Sequence, residues 1–231
     1  MLEVKDLYSY YGKSPIIQGI DFEVAAGGFF GVVGRNGVGK TTLLRTLMGL
    51  TDRAVGRVRF NGEDLLRMTT PERAGSGIAY IPQGREVIPR FTVRENLIMG
   101  TFPRQDGTRD IPPHIFEMFP ILEEFIERRA GDLSGGQQQQ LAIGRALAMK
   151  PRIMLLDEPT EGIQPNIVQQ IEAVLKQLNR EIGLTIILVE QNTRFVREVA
   201  DEFLLLEKGR VSLRGAGGEL TGEVVEKYLS I

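Results

Sequence analysis

Residues 34–41 read Gly-Arg-Asn-Gly-Val-Gly-Lys-Thr, which fits G-x-x-x-x-G-K-[ST] at every fixed position. No other stretch narrows the fold as much, because such a loop works only between a buried strand and the helix it opens. Phe29–Val33 before it is a short apolar run. Leu43, Leu44, Leu47 and Met48 after it give a helix over about Thr41–Gly49 its apolar face. Gly34, Gly37 and Gly39 let successive backbone N–H groups turn inward as an anion nest, and the helix adds the positive end of its dipole. Arg35, Asn36 and Val38 fill the variable positions. Lys40 supplies the cation for β- and γ-phosphates, Thr41 a hydroxyl for Mg²⁺, and Thr42 continues the cradle. A Gly-rich turn of this pattern arises by accident in roughly 1 in 100 chains of this length. The flanking strand and helix make accident a poorer explanation still.

The rest of the chain reads as α/β. Leu2, Val4 and Leu7, then Ile20, Phe22 and Val24, alternate as strands, and Val58-Arg-Phe60 is a strand closed by the turn dipeptide Asn61-Gly62. Ile78–Ile81 is a strand stopped by Pro82. From about 90 to 130 the pattern changes to short helices: Val93–Met99, Pro113–Phe119 and Ile121–Arg129. These predict a helical lobe on the α/β core, not a separately folding domain. Helix Gln138–Met149 then leads to strand Ile153–Leu156, helix Asn166–Glu181, strand Thr185–Val189 and helix Thr193–Ala200. Strand Val211–Arg214 and helix Gly218–Leu229 follow. Helices alternating with continuous apolar strands imply a mostly parallel sheet.

Two further constellations carry chemistry. The strand Ile153–Leu156 ends in Asp157-Glu158, at the carboxyl end where ligands bind in such sheets. Asp157 would complete a Mg²⁺ shell, and Glu158 would position and deprotonate a water. A strand ending in two solvated acids is common, and only the phosphate loop gives the pair weight. Leu133-Ser134-Gly135-Gly136-Gln137 precedes an amphipathic helix. Ser134 with Gln137 is a capping box, which explains both residues but not the two glycines. Glycines there bare the backbone to an approaching anion.

Together the three resemble the ATPase family of ATP-binding-cassette (ABC) transporters, over nearly the whole chain. The resemblance implies an α/β fold: a P-loop NTPase core with an N-terminal antiparallel β subdomain and a helical subdomain. It implies one ATPase domain over 1–231, with the core over about 1–85 and 150–231 and the helical subdomain, carrying the LSGGQ signature, over about 86–149. It implies ATP and Mg²⁺ as cofactors, with Lys40, Glu158 and Gln191 catalytic. It also implies two such domains face to face, Ser134, Gly135, Gly136 and Gln137 of one reaching ATP on the Lys40 of the other. Tyr11 matches the aromatic that stacks on adenine, with Tyr8 and Tyr10 as neighbouring choices and a core tyrosine as the plain alternative. Gln83 matches the glutamine that senses Mg²⁺ and moves with the membrane partner; an exposed turn residue after Pro82 is its plain alternative.

Two departures stand out. The usual histidine after the strand that follows the acid pair is Gln191, and the usual Asp before Pro165 is Gln164. Gln191 can hydrogen-bond a γ-phosphate but carries no proton charge near neutral pH, which leaves the base work to Glu158. The only histidine, His114, lies in the helical insert. Val189-Glu-Gln-Asn192 resembles the branched-chain amino-acid importer branch. Gly34–Leu44, Pro82–Glu86, Gly135–Gln140 and Asp157–Pro165 look closer to that branch's urea-transport members. The resemblance implies the second ATPase subunit of a urea importer, with a branched-chain amino-acid importer as the alternative. Its partners would be two integral-membrane permease subunits, a related ATPase or a second copy, and indirectly a solute-binding protein. It would sit peripherally on the cytoplasmic face of the plasma (inner) membrane.

Composition bounds the rivals. There is no cysteine, so disulfides and thiolate sites are excluded. No apolar run approaches the roughly 20 residues of a membrane span, and the first residues have no signal-peptide pattern, which predicts a mature cytosolic start. The formal charge of −2, with Lys and Arg dispersed, argues against nucleic-acid binding, so a soluble relative acting on nucleic acid or ribosomes is disfavoured. A regulatory subunit that binds ATP without turnover would be the consequence if Gln191 and Gln164 disabled the site. Lys40, Asp157 and Glu158 are all present, which predicts hydrolysis.

Overall fold

The structure is a computed structural model, and it describes residues 1–229. Two sheets share the molecule. The first is antiparallel, in the order β2-β1-β4-β5, from β1 (Leu2–Tyr11), β2 (Ser14–Val24), β4 (Arg53–Phe60) and the two-residue β5 (Glu63–Asp64). The second is six-stranded, in the order β10-β9-β3-β8-β7-β6, from β3 (Phe29–Val33), β6 (Ile78–Ile81), β7 (Ile153–Asp157), β8 (Thr185–Glu190), β9 (Glu202–Glu207) and β10 (Arg210–Ala216). All its pairs are parallel except β10 on β9.

The sequence dictates this locally. β3, β7 and β8 are buried at every residue, as strands covered on both faces must be. β1 instead alternates, but its phase changes midway. Leu2 and Val4 point inward, then Leu7 and Ser9. A bulge between Val4 and Leu7, with Asp6 at φ 49°, inserts the extra residue that flips the face. The β4–β5 hairpin turns on Asn61-Gly62, both with positive φ (51° and 89°), the conformation for which that dipeptide is suited.

Two apolar clusters fill the layers. One lies between the antiparallel sheet, helix α1 (Lys40–Met48) and one face of the parallel sheet, around Phe22, Phe30, Leu43, Leu44, Phe60 and Val189. The other covers the opposite face. It runs without a break from Phe29, Leu156 and Leu188 into the helical insert at Val93, Leu97, Ile115 and Leu122. The insert therefore shares a core with the sheet.

The insert is more broken than its sequence suggests. α3 (Val93–Met99) and α4 (His114–Met118) form as expected, but α5 is only Pro120–Glu124, and the expected helix to Arg129 gives way to turns. α6 (Gly135–Ala148) begins at the glycines, three residues before the expected Gln138. α7 (Pro165–Arg180) and α8 (Thr193–Val199) match, whereas α9 starts at Gly222, four residues late. The expected elements omit α2 (Thr70–Gly75), opened by a Thr69–Glu72 capping box, and β9, although its Phe203–Leu206 run is as apolar as β7. No helix among the described residues is long and apolar enough to cross a membrane.

α3 and α6 pack closely where Gly100 ends α3. A methyl group there would overlap the Arg145 carbonyl oxygen and meet the Ala148 methyl at 3.1 Å. Gly100→Ala is therefore expected to destabilise by about 1–3 kcal/mol, the usual cost of overpacking. It should be read as a fall in the melting midpoint with nucleotide binding kept. An unchanged midpoint would mean that the two helices separate easily.

Candidate functional site

Strand register gathers the site at one edge. Val33 lies opposite Glu190, and Asp157 opposite Val189, so the carboxyl ends of β3, β8 and β7 are level. The phosphate loop, Asp157-Glu158, Glu190-Gln191 and, beyond β6, Gln83 all project from that edge. A cleft of about 360 Å³ opens there, lined by Tyr11, Ile16, Asn36, Gly37, Gly39, Lys40, Thr41, Thr42, Gln83 and Glu158. A larger cavity of about 650 Å³ lies at the opposite ends of β6 and β7, by Gly77 and Arg152. Its buried cation, Arg104, already pairs with Asp106 and Asp110.

The loop is built to take an anion. Gly39 caps α1 in the left-handed region (φ 111°), and no side chain bonds the helix's first N–H groups. There is also no acid in the first turn. By contrast α3 and α6 satisfy theirs with capping boxes, Thr92–Glu95 and Ser134–Gln137. A helix start left open beside a cationic side chain is an anion site. Val38 turns the other way, with its carbonyl accepting from the Gly209 N–H at 2.9 Å. Arg35 contributes its carbonyl to Lys40.

Lys40 is buried and fully engaged. Its ammonium donates to the carbonyls of Gly34 (2.9 Å) and Arg35 (3.1 Å) and pairs with Glu158 Oε1 at 3.1 Å. Glu158 Oε2 accepts from the Gln191 amide at 2.9 Å, and that same amide donates to Asn36 Oδ1 at 2.6 Å. Glu158 also carries backbone strain: φ is 48°, and Pro159 follows.

The hydroxyl of Thr41 donates to Asp157 Oδ1 at 3.1 Å, and Tyr80 reaches Oδ2 at 3.4 Å. Burial raises the Asp157 carboxyl above its ordinary range, with Glu158 beside it acting in the same direction. Burial also raises Glu190, against the donors of Thr160, and raises the Tyr80 phenol. A raised carboxyl binds its proton more tightly folded than unfolded. Asp157 and Glu190 therefore cost nothing below the unfolded value of about 4 and weaken the fold as pH climbs through their raised values. A cation bound at Asp157 would offset its share.

The donor set fits Mg²⁺ held with phosphate. Among the described residues no group of three or more His, Cys, Asp or Glu could cage a metal. A hydroxyl beside one buried carboxylate supplies hard oxygens for an ion that takes its remaining ligands from phosphate and water. Gln83 is not at these oxygens: its amide donates to Glu161 Oε2 at 2.7 Å. Arg85, from the same loop, reaches the Glu161 carbonyl at 3.4 Å.

Of the three tyrosines, Tyr11 lines the cleft. The Tyr10 ring lies under Arg53 (4.1 Å to its centroid), and the Tyr8 hydroxyl points at Gly19. Tyr11→Ala is expected to weaken ATP binding by about 1–3 kcal/mol, the worth of base–aromatic stacking. Tyr10→Ala should leave affinity unchanged, and titration of both variants with ATP separates them.

Ser134, Gly135, Gly136 and Gln137 do not line this cleft. The two glycines have packing reasons of their own. A methyl on Gly136 would sit 2.8 Å from Ile167 of α7, and one on Gly135 3.0 Å from the Arg85 guanidinium. Sequence reasoning missed Thr160, Glu161, Arg85 and Glu190. Only Glu190 left a trace, a lone carboxylate closing the wholly buried β8 after the apolar run Ile186–Val189.

Comparison with known proteins points one way. A family model described as "ABC transporter" matches residues 17–161. The chain is 43% identical over 221 residues to the high-affinity branched-chain amino acid transport ATP-binding protein BraG of Pseudomonas aeruginosa, covering 95% of this chain and 94% of that protein. It is 36% identical to the probable branched-chain amino acid transport ATP-binding protein LivF of Archaeoglobus fulgidus, with the same coverage of 95% and 94%. Among solved structures it resembles the dimeric, ADP- and Pi-bound ATP-binding cassette MJ0796, with a TM-score of 0.84 and 26% identity over 96% of this chain and 100% of that one.

Proposed function

The chain belongs to the ABC transporter family as an ATP-hydrolysing subunit, and from that premise we propose that it drives an importer of branched-chain amino acids. The observation that carries the solute is the 43% identity to BraG across nearly the full length of both proteins. The expectation of urea has no counterpart among these relatives and gives way to its alternative. Nothing in the cleft reads a solute, so the assignment rests on likeness alone.

The residues divide the chemistry between them. Lys40 exchanges Glu158 and two carbonyls for the β- and γ-phosphates. The first N–H groups of α1 receive the phosphates from the other side. Thr41 and Asp157 would hold Mg²⁺, which when bound would neutralise charge developing on the phosphate oxygens. Glu158, released by Lys40, takes the proton from the attacking water. Gln191 holds the second Glu158 oxygen and ties it to the loop through Asn36. Gln83, which lines the cleft, would be free to serve the metal and signal toward the membrane subunits once released from Glu161. Ser134, Gly135, Gly136 and Gln137 serve the ATP of a facing subunit, a copy of this chain or a related ATPase. MJ0796 supports a paired arrangement, being dimeric.

The working assembly would add two permease subunits and a solute-binding protein, with this chain on the cytoplasmic face of the membrane. The test is uptake of labelled leucine and labelled urea by the native host with and without the chain. Loss of leucine uptake alone supports the proposal. Loss of urea uptake alone returns the solute to urea with the motor unchanged. Loss of neither overturns the importer assignment for both solutes.

A further inference from the structure

Glu158 stands in the left-handed region (φ 48°) directly before Pro159, and such a conformation persists only where its surroundings over-determine it. Two contacts do so. The Glu158 N–H donates to the Val189 carbonyl at 2.9 Å, which fixes the turn's start to β8. The turn's far side is held by Glu190, the last residue of β8 and 3% exposed. Its Oε1 accepts from both the backbone N–H (3.1 Å) and the hydroxyl (2.7 Å) of Thr160. Its Oε2 accepts from the Gln191 N–H at 3.2 Å.

One buried carboxylate thus grips the residue two positions after Glu158 and the backbone of Gln191, whose side chain bonds Glu158. We propose that Glu190 is a positioning residue for hydrolysis: it clamps the Glu158–Thr160 turn and the base of Gln191 together, and so aims the Glu158 carboxylate. Glu190 does not line the ATP cleft. Its removal should therefore leave nucleotide binding alone and misplace the base, and a displacement of about 1 Å can cost on the order of 100-fold in rate. The inference rests on Glu158 being the base.

The test is steady-state ATP hydrolysis and direct ATP binding by the full chain carrying Glu190→Ala, Glu190→Gln, Thr160→Val, the Glu190→Ala/Thr160→Val pair, and separately Glu158→Gln. Glu190→Ala is expected to lower kcat by about 10- to 100-fold with KM and ATP affinity within about twofold. Glu190→Gln, which keeps one acceptor for Thr160, should recover most of that loss. Thr160→Val should fall between wild type and Glu190→Ala. The pair should be no slower than Glu190→Ala alone, since both changes cut the same contact.

Glu190→Ala hydrolysing at the wild-type rate while Glu158→Gln is inactive overturns the clamp and spares the base. A loss confined to KM, or losses that multiply in the pair, overturns it as well. Wild-type turnover by Glu158→Gln overturns the base assignment instead. Thermal melts of each variant identify any that lose rate by unfolding.

Discussion

Glu158→Gln is expected to abolish measurable hydrolysis and to leave a protein that holds ATP at least as tightly as the wild type. A positioned general base contributes about 10²- to 10⁴-fold, and an amide cannot take the proton. Binding survives because Glu158 competes for the lysine: its carboxylate holds Lys40 at 3.1 Å, where a phosphate would otherwise sit. The amide removes that competitor's charge, and the Gly34 and Arg35 carbonyls hold the ammonium in the loop until the phosphates replace them. Turnover assays and equilibrium binding on one preparation check both halves. Substantial hydrolysis by the variant would move the base elsewhere. Weakened binding would mean that the Lys40–Glu158 pair organises the loop rather than competing with it. In saturating ATP and Mg²⁺ the same variant should dimerise, if this chain pairs with itself.

Lys40→Ala is expected to lose binding first and activity with it. Charge-assisted hydrogen bonds are worth about 1.5–3 kcal/mol each, so losing one or two weakens ATP by about 10²-fold or more. The variant should also melt lower without nucleotide. Breaking a buried ion pair from one side costs about 3–5 kcal/mol, and the Glu158 side chain is only 6% exposed. The Gln191 donor, which stays, brings the expected cost toward the low end. The double variant Lys40→Ala/Glu158→Gln should therefore be more stable than Lys40→Ala alone. A calorimetric series of the three decides it. Equal stability of Lys40→Ala and wild type would mean that the pair is worth nothing to the fold.

What sequence made legible was local. The phosphate loop, the acid pair and the signature are runs of neighbours, and each landed on the element its pattern required. β3, β6, β7 and β8 could be read because burial on both faces leaves them nearly continuously apolar, whereas β9 was passed over although its Phe203–Leu206 run is of the same kind. Partners were not legible. Lys40 with Glu158, Gln83 with Glu161, and Gln191 with Asn36 join segments far apart in the chain, and no spacing rule encodes which acid a given amide will find. The choice among Tyr8, Tyr10 and Tyr11 was hidden for another reason. The bulge at Asp6 resets which side of β1 each residue faces, and a strict two-residue period cannot carry across it. The signature glycines misled in part. An anion's approach explains them from sequence, but Ile167 crowds a side chain at Gly136 without any ligand, and the Arg85 guanidinium would have to shift for one at Gly135.

The open start of α1 has a consequence beyond the reaction. A ligand seated on a helix start that its N-cap residue does not cap favours the folded state, and at 100 times its Kd it adds about 2.7 kcal/mol of stability. The protein's lifetime is then tied to the nucleotide around it. As ATP falls below its Kd that share of the stability would be lost, and the unfolded fraction open to proteases would rise. The number of importers would decline along with the fuel that runs them, with no regulator beyond the helix end itself.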